Sequence, residues 1–384
     1  MKTKIFILFI LFLCMFARNT SAIKLTKDAT ISILTCAPGN ELYSLFGHTG
    51  IRVTDKANNL DIVFNYGTFD FNTQGFYFKF ARGLLPYQLS CSDFDRFMAS
   101  YVYEERSVYS QILNLDSIQK QRLMDLLVEN YQPQNRTYLY NFLYDNCTTR
   151  ARDIVEKSTD NSITWIAEPS TKSFWNMLDE YLCRSQWTQW GIHTILGSPA
   201  TSIVTTREQM FLPDYLMYRL DSAYFNGKPL VEPIKVIYQA PDQTPNNPWY
   251  ISPFFVFAVC TLALILLLQK YRSRRLLKAI AIPFFIITGI IGCLIVFLCF
   301  FTKHPTMYPN FNALWANPLN LIAAFFIGKE KLPWIINKYI FVYLYVLIIG
   351  FLLWFLFIPA VPYAPMVIFV WMIYLCIRLR QVQK

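Results

Sequence analysis

Beyond Trp249 the chain is almost continuous hydrocarbon, and this limits what the rest can be. Five apolar stretches follow, approximately 251–269, 279–301, 311–327, 339–358 and 361–377. A helix needs about 20 predominantly apolar residues to cross a hydrocarbon core of roughly 30 Å. The second and fourth stretches are long and clean. The third is short and carries Asn312, Asn317, Pro318 and Asn320; the fifth is short and begins with Pro362 and Pro365. Each of these two is either a full span or a re-entrant or tilted element. Only 16% of the 384 residues are charged, against about a quarter in a soluble chain. The apolar excess sits at the two ends, so residues 23–228 read as one water-soluble domain and 251–384 as a membrane domain.

Charge orders the spans. Lys270, Arg272, Arg274, Arg275 and Lys278 follow the first stretch, Lys329, Lys331 and Lys338 follow the third, and Arg378, Arg380 and Lys384 follow the fifth. The loops at 302–310 and 358–364 hold only Lys303 between them. Basic residues collect on the cytoplasmic side, so five spans put the domain that precedes them outside, and an even number breaks the agreement. At the other end, Lys2 and Lys4 precede an apolar run from Ile5 to Phe16, and a polar stretch ends at Ala22. This is the pattern of a cleaved signal peptide over 1–22, with an uncleaved anchor as the alternative. The net charge of +10 is explained by these membrane-flanking clusters. No basic stripe argues for nucleic acid.

The exported part reads as an α+β domain. Stretches 29–35, 49–55, 61–66 and 107–113 alternate like strands. Stretches 92–103, 116–131 and 147–157 carry helical spacing, with Asp116 and Gln119 resembling a cap. In the second helix Ile118, Leu123, Leu126 and Leu127 would line one face. Residues 229–250, rich in Pro, Asn and Gln, read as a linker or loop.

The chain holds three histidines. His48 lies in Leu45-Phe46-Gly47-His48-Thr49-Gly50, at the expected start of a strand. Cys147 lies in Asp145-Asn146-Cys147-Thr148-Thr149-Arg150, where Asn146 can cap a helix and the thiol occupies its first turn. Helix N-termini favour thiolates, and a neighbouring imidazole lowers the thiol pKa further. These are parts of a thiol acyl-transfer site. On spacing alone a buried structural thiol or half of a disulfide is the better reading of Cys147, and His48 is as open to a role in the core as to catalysis. Cys36, Cys91 and Cys183 share the domain and leave room for one disulfide and a spare thiol. No metal or nucleotide motif appears, and no cofactor is implied.

Taken together, Gly47-His48-Thr49, Ile51-Arg52-Val53, the run Phe64-Asn65-Tyr66-Gly67-Thr68-Phe69-Asp70-Phe71, the Asn146-Cys147 segment, Met210-Phe211-Leu212-Pro213-Asp214-Tyr215 and Asn317-Pro318-Leu319-Asn320 resemble the Lnb-type lipoprotein N-acyltransferase family. The site is also similar to that of the permuted papain-like thiol acyltransferases related to lecithin:retinol acyltransferase, where a strand histidine precedes an Asn-Cys motif. The resemblance implies a bacterial inner-membrane enzyme with its catalytic domain in the periplasm. It implies Cys147 as nucleophile and His48 as base. Asn65 would orient His48, with Asp70 as the alternative. Asn146 and Tyr66 would support the site. The implied substrates are a phospholipid acyl donor and a diacylated lipoprotein acceptor. Phe69, Phe71, Phe76, Tyr77, Phe78 and Phe80 form either a packed core or an acyl-chain groove or membrane-facing lip, with Lys79 and Arg82 facing phosphate or water. His304, in an outer loop, is a candidate for headgroup binding or for completing the site; His193 is given no role. Rival readings are a phospholipase, a cell-wall cysteine peptidase or amidase, and a non-enzymatic membrane assembly protein.

Overall fold

A computed structural model describes residues 23–241, 247–357 and 364–382. The expected signal peptide, the middle of the expected linker (242–246) and residues 358–363 and 383–384 lie outside the described residues.

The exported domain is built on a wholly antiparallel seven-stranded sheet. Its strands are β1 (Thr30–Cys36), β2 (His48–Asp55), β3 (Leu60–Thr68), β4 (Pro86–Asp93), β5 (Val108–Ile112), β6 (Thr137–Leu139) and β9 (Lys235–Tyr238), with β7 (Tyr224–Phe225) and β8 (Lys228–Pro229) forming a separate hairpin. The order β6-β4-β3-β2-β1-β5-β9 puts β1 to β3 in the centre. Helices cover both faces of this centre, and β1 is the most completely buried of its strands. Among the helices are α1 (Phe76–Ala81), α2 (Phe94–Tyr103), α3 (Ser117–Tyr131) and α4 (Cys147–Ser158). On one face Ile31, Ile33, Ile51, Val53 and Phe64 meet α3 and α4 through Leu123, Leu127, Ile154 and Val155. On the other, Leu34, Cys36 and Val63 meet Phe97 and Tyr101 of α2. Burying each such side chain stabilises the fold by roughly 1.5–3 kcal/mol.

Three local expectations are corrected. Residues 92 and 93 end β4 rather than begin a helix, because α2 starts only where Phe97 and Tyr101 can reach the sheet. Ile118 is 79% exposed; α3 buries Leu123, Met124 and Leu127 instead. The stretch expected as linker contributes β9, which pairs with β5 and closes one sheet edge.

A second group of helices follows, α5 (Phe174–Leu182), α6 (Gln186–Ile195), α7 (Thr206–Gln209) and α8 (Pro213–Asp221), of which α5 and α6 share an apolar cluster with the membrane helices. There α9 (Pro253–Tyr271), α10 (Arg274–Phe300), α12 (Trp334–Phe357) and α13 (Ala364–Gln381) are, among the described residues, the helices of 18 residues or more that are apolar enough to cross. Between α10 and α12 the short third stretch breaks into a 3-10 turn, Phe311–Leu314, and α11 (Leu319–Ile327). Asn320 is fully buried there. Its amide donates to Thr288 Oγ1 and to the Tyr343 hydroxyl, its oxygen accepts from Tyr339, and Tyr343 donates to the carbonyl of Trp315. The broken helix thus keeps its polar groups satisfied inside protein, as hydrocarbon requires. α10 packs so closely on the break that a Cβ at Gly292 would lie 2.5 Å from the Ala316 carbonyl oxygen. At the other end of α10, Arg274 and Lys278 donate to carbonyls of Glu330, Gly328 and Lys329. The two basic loops assigned to the cytoplasmic side therefore meet.

The outer loop is joined to the exported domain. Asn310 Nδ2 donates to the carbonyls of Thr194 and Ile195, both at 3.0 Å, and Asn312 Nδ2 to those of His193 and Thr194. These carbonyls are the unpaired end of α6, so the loop caps that helix. The N–H groups of Gly197 and Ser198 donate back to the carbonyls of Thr306 and Pro309. One apolar cluster runs from Leu45, Leu143 and Phe211 into the membrane helices.

Candidate active site

The site forms where β2 begins and α4 begins. Asn146 caps α4: its Oδ1 accepts from the N–H groups of Thr148 (2.8 Å) and Thr149 (2.9 Å), while Thr149 Oγ1 accepts from the N–H of Asn146. This reciprocal box satisfies the first turn. The Asn146 amide donates to the carbonyls of Phe142 (2.7 Å) and Phe211 (2.8 Å). Pro213 lies over Gly47, its Cγ 3.4 Å from where a Gly47 Cβ would be. The segment Phe211-Leu212-Pro213 thus braces both the helix cap and the residue before His48. Asp145 and Arg150 form a bidentate ion pair at 2.6 and 2.8 Å, and the guanidinium stacks 3.4 Å over the Tyr138 ring.

Within this frame the Cys147 thiol is buried and hydrogen-bonded to His48. Burial pushes the thiol up. The charge and hydrogen bond of His48, the Thr49 N–H and the Thr148 hydroxyl outweigh burial and hold it at about 7. Burial pushes His48 down, but the thiolate charge and the hydrogen bonds of Cys147 and Asn65 leave it above the ordinary imidazole value. His48 Nε2 lies 3.2 Å from Asn65 Oδ1. Thr49 Oγ1 and Thr148 Oγ1, both buried, lie 3.1 Å apart and fasten strand to helix.

β3 breaks register between Asn65 and Thr68. Inside that bulge Gly67 has φ +84°, and a Cβ there would lie 3.5 Å from Cys147 Cβ and 3.9 Å from its backbone nitrogen. Glycine both reaches this conformation and leaves open the N–H of Cys147, one of the unpaired donors of a helix start.

The other candidates are placed elsewhere. Asp70 is exposed and closes a turn on Asn72, so the contact to His48 comes from Asn65. The Tyr66 hydroxyl accepts from Asn130 (2.9 Å), beside a cavity of about 570 Å³ whose lining includes Asp145 and Arg150 but neither Cys147 nor His48. His304 lies against Gly83, shortly after the end of α10. His193 is buried with Nε2 2.7 Å from Asp179 Oδ1. Cys36, Cys91 and Cys183 are free thiols. Sequence reasoning missed Tyr140, whose ring edge lies 3.5 Å from the same Gly67 position as Cys147 and stacks on Tyr87 at 4.3 Å. Its only sequence signal was the alternation Tyr138-Leu139-Tyr140. Among the described residues no group of three or more His, Cys, Asp or Glu is arranged to hold a metal.

Comparison with known families adds to this geometry. The model of the Lnb N-terminal periplasmic domain matches residues 17–178, the stretch that carries His48, Asn65 and Cys147. The model of the Lnb transmembrane domain matches residues 245–384. No curated protein and no solved structure matches significantly. A periplasmic domain followed by membrane-spanning helices makes this an inner-membrane protein with its soluble part in the periplasm. With both halves matched in order, the chain belongs to the Lnb family.

Proposed function

We propose that this protein N-acylates bacterial lipoproteins, moving a fatty acyl chain from a phospholipid to the α-amine of a diacylglyceryl-cysteine through a thioester on Cys147. Membership of the Lnb family supports a membrane protein that modifies lipoproteins. The observation that carries the chemistry is a buried thiol held at about 7, at a helix N-terminus, against a histidine bonded to Asn65.

In the first step the Cys147 thiolate attacks the ester carbonyl of the donor. The C–O bond to glycerol breaks, and the imidazolium of His48 gives its proton to the departing lysophospholipid. In the second step the lipoprotein amine attacks the thioester, neutral His48 accepts the amine proton, and the thiolate leaves. The oxyanion of each tetrahedral intermediate would sit against the Cys147 N–H, in the space that Gly67 leaves open; such donors typically contribute about 3–4 kcal/mol. Asn65 keeps His48 turned towards the thiol, in the manner of the third member of a triad. The sheet is consistent with a permuted papain-like core, in which the base precedes the nucleophile. Fastening the domain to the outer loop keeps the site at the membrane, where both lipid substrates lie, and raises their effective concentration.

A phospholipase shares the first step and differs only in giving the acyl group to water. Mass spectrometry of lipoprotein N-termini tests the acceptor. Cells lacking the protein should regain N-acyl chains when given the parent chain and not when given Cys147→Ala. Restoration by both would make the cysteine structural. Restoration by neither would favour the hydrolase.

A further inference from the structure

Helix α1 presents most of its rings to the outside. Tyr77 is 82% exposed, and Phe78 and Phe80 are also exposed. A water-facing surface rarely gathers such a patch without a partner. Its attachment points to the partner. The Lys303 N–H donates to the Arg82 carbonyl (2.9 Å), Arg82 Nε donates to the carbonyl of Phe301 (3.4 Å), and the His304 ring packs on Gly83. These are the residues just beyond the outer end of α10, a membrane-spanning helix whose last ring, Phe300, is itself exposed and packs on Tyr308 at 5.3 Å. The patch therefore continues the lipid-facing surface of α10 at the level of the outer boundary. Rings interspersed with Lys79, Arg82 and Lys303 have the composition of that boundary: aromatic bodies at headgroup depth, cations reaching phosphate.

Behind the patch, rings form a continuous path inwards. Phe80 stacks on Phe76, Phe76 meets Phe69, Phe69 meets Tyr87, Tyr87 stacks on Tyr140, and Tyr140 borders Cys147 at Gly67.

We propose that α1 is a lip that dips into the outer leaflet and is the portal through which a phospholipid reaches Cys147. The portal role rests on the acyl-donor reading; the insertion does not. Photocrosslinking separates the two. Full-length protein with p-benzoylphenylalanine in place of Tyr77, in vesicles of phosphatidylethanolamine and phosphatidylglycerol, should give a phospholipid adduct by intact mass. The yield should approach that of the same probe at Leu262, exposed on the first span, and exceed at least about tenfold that at Ile118. A yield at 77 no higher than at 118, with 262 labelled, overturns the insertion. The adduct should persist in a Cys147→Ala background. If it does while Cys147→Ala still N-acylates, the thioester reading falls and the lip stands. Phe78→Asp should lower acyl transfer from vesicle phospholipid about tenfold or more, with Cys147 alkylation at the parent rate as the check on folding. Undiminished transfer overturns the portal.

Discussion

Cys36 and Cys147 are both buried, and both neighbour His48: the first is its cross-strand partner, the second its hydrogen-bond partner. Their chemistry diverges. Burial pushes the Cys36 thiol up to about 12, with only a weak counterweight from the Tyr101 hydrogen bond and the more distant Arg106. Cys147, also buried, is held at about 7. Two features separate them. Cys147 opens a helix and takes a hydrogen bond from the Thr49 N–H, and His48, held at Nε2 by Asn65, gives it a charge partner. Burial alone makes an inert thiol. Burial with oriented donors and a charge partner makes a nucleophile.

Removing the imidazole should erase most of this difference. His48→Ala is expected to reduce acyl transfer by on the order of 10²–10⁴. The alkylation rate of Cys147 at neutral pH should fall by roughly fifteenfold or more as the thiol returns to or above the ordinary value of about 8.5. Peptide-resolved iodoacetamide kinetics measures this; an unchanged rate would assign the low thiol value to the helix alone. Asn65→Ala should cost on the order of a hundredfold in turnover, since a misaimed base is penalised steeply, with a smaller loss in alkylation. Equal losses in both would mean that Asn65 sets the thiol's charge rather than the direction of His48.

The pH dependence sharpens the contrast. The reactive form is the thiolate, so labelling of Cys147 should rise with pH through about 7, whereas Cys36 in folded protein should stay essentially unlabelled over the same range. Labelling of both in parallel would mean a shared environment. Asn146→Ala removes the cap and two bonds to carbonyls; about 1–2 kcal/mol of stability should be lost, read as a lower thermal midpoint. The smallest effect is expected from Cys36→Ala, which should leave Cys147 labelling within about twofold of the parent.

What was legible in the sequence was local. The apolar stretches and flanking Lys and Arg carried the membrane domain, and Asn146 before Cys147 carried the cap, because each is written in adjacent residues. What escaped depends on distant residues meeting. Asp70 stood as the alternative to Asn65 until the bulge at Gly67 took the chain away from His48 before Asp70. Tyr140 stands beside Cys147 only because β6 pairs with β4. The role of Asn310 and Asn312 in capping α6 joins residues more than 100 apart in sequence. β9 was hidden by the prolines around it, and four residues are too few to show a period.

The comparison of the two thiols ends in one measurement. Purified protein incubated with phospholipid, without acceptor, should gain the mass of one acyl chain. Hydroxylamine should release it, as it does a thioester. The adduct should map to Cys147, form in Cys36→Ala, and be absent from Cys147→Ala. An adduct that persists in Cys147→Ala, or none in the parent while lipoproteins are still N-acylated, would contradict transfer through Cys147.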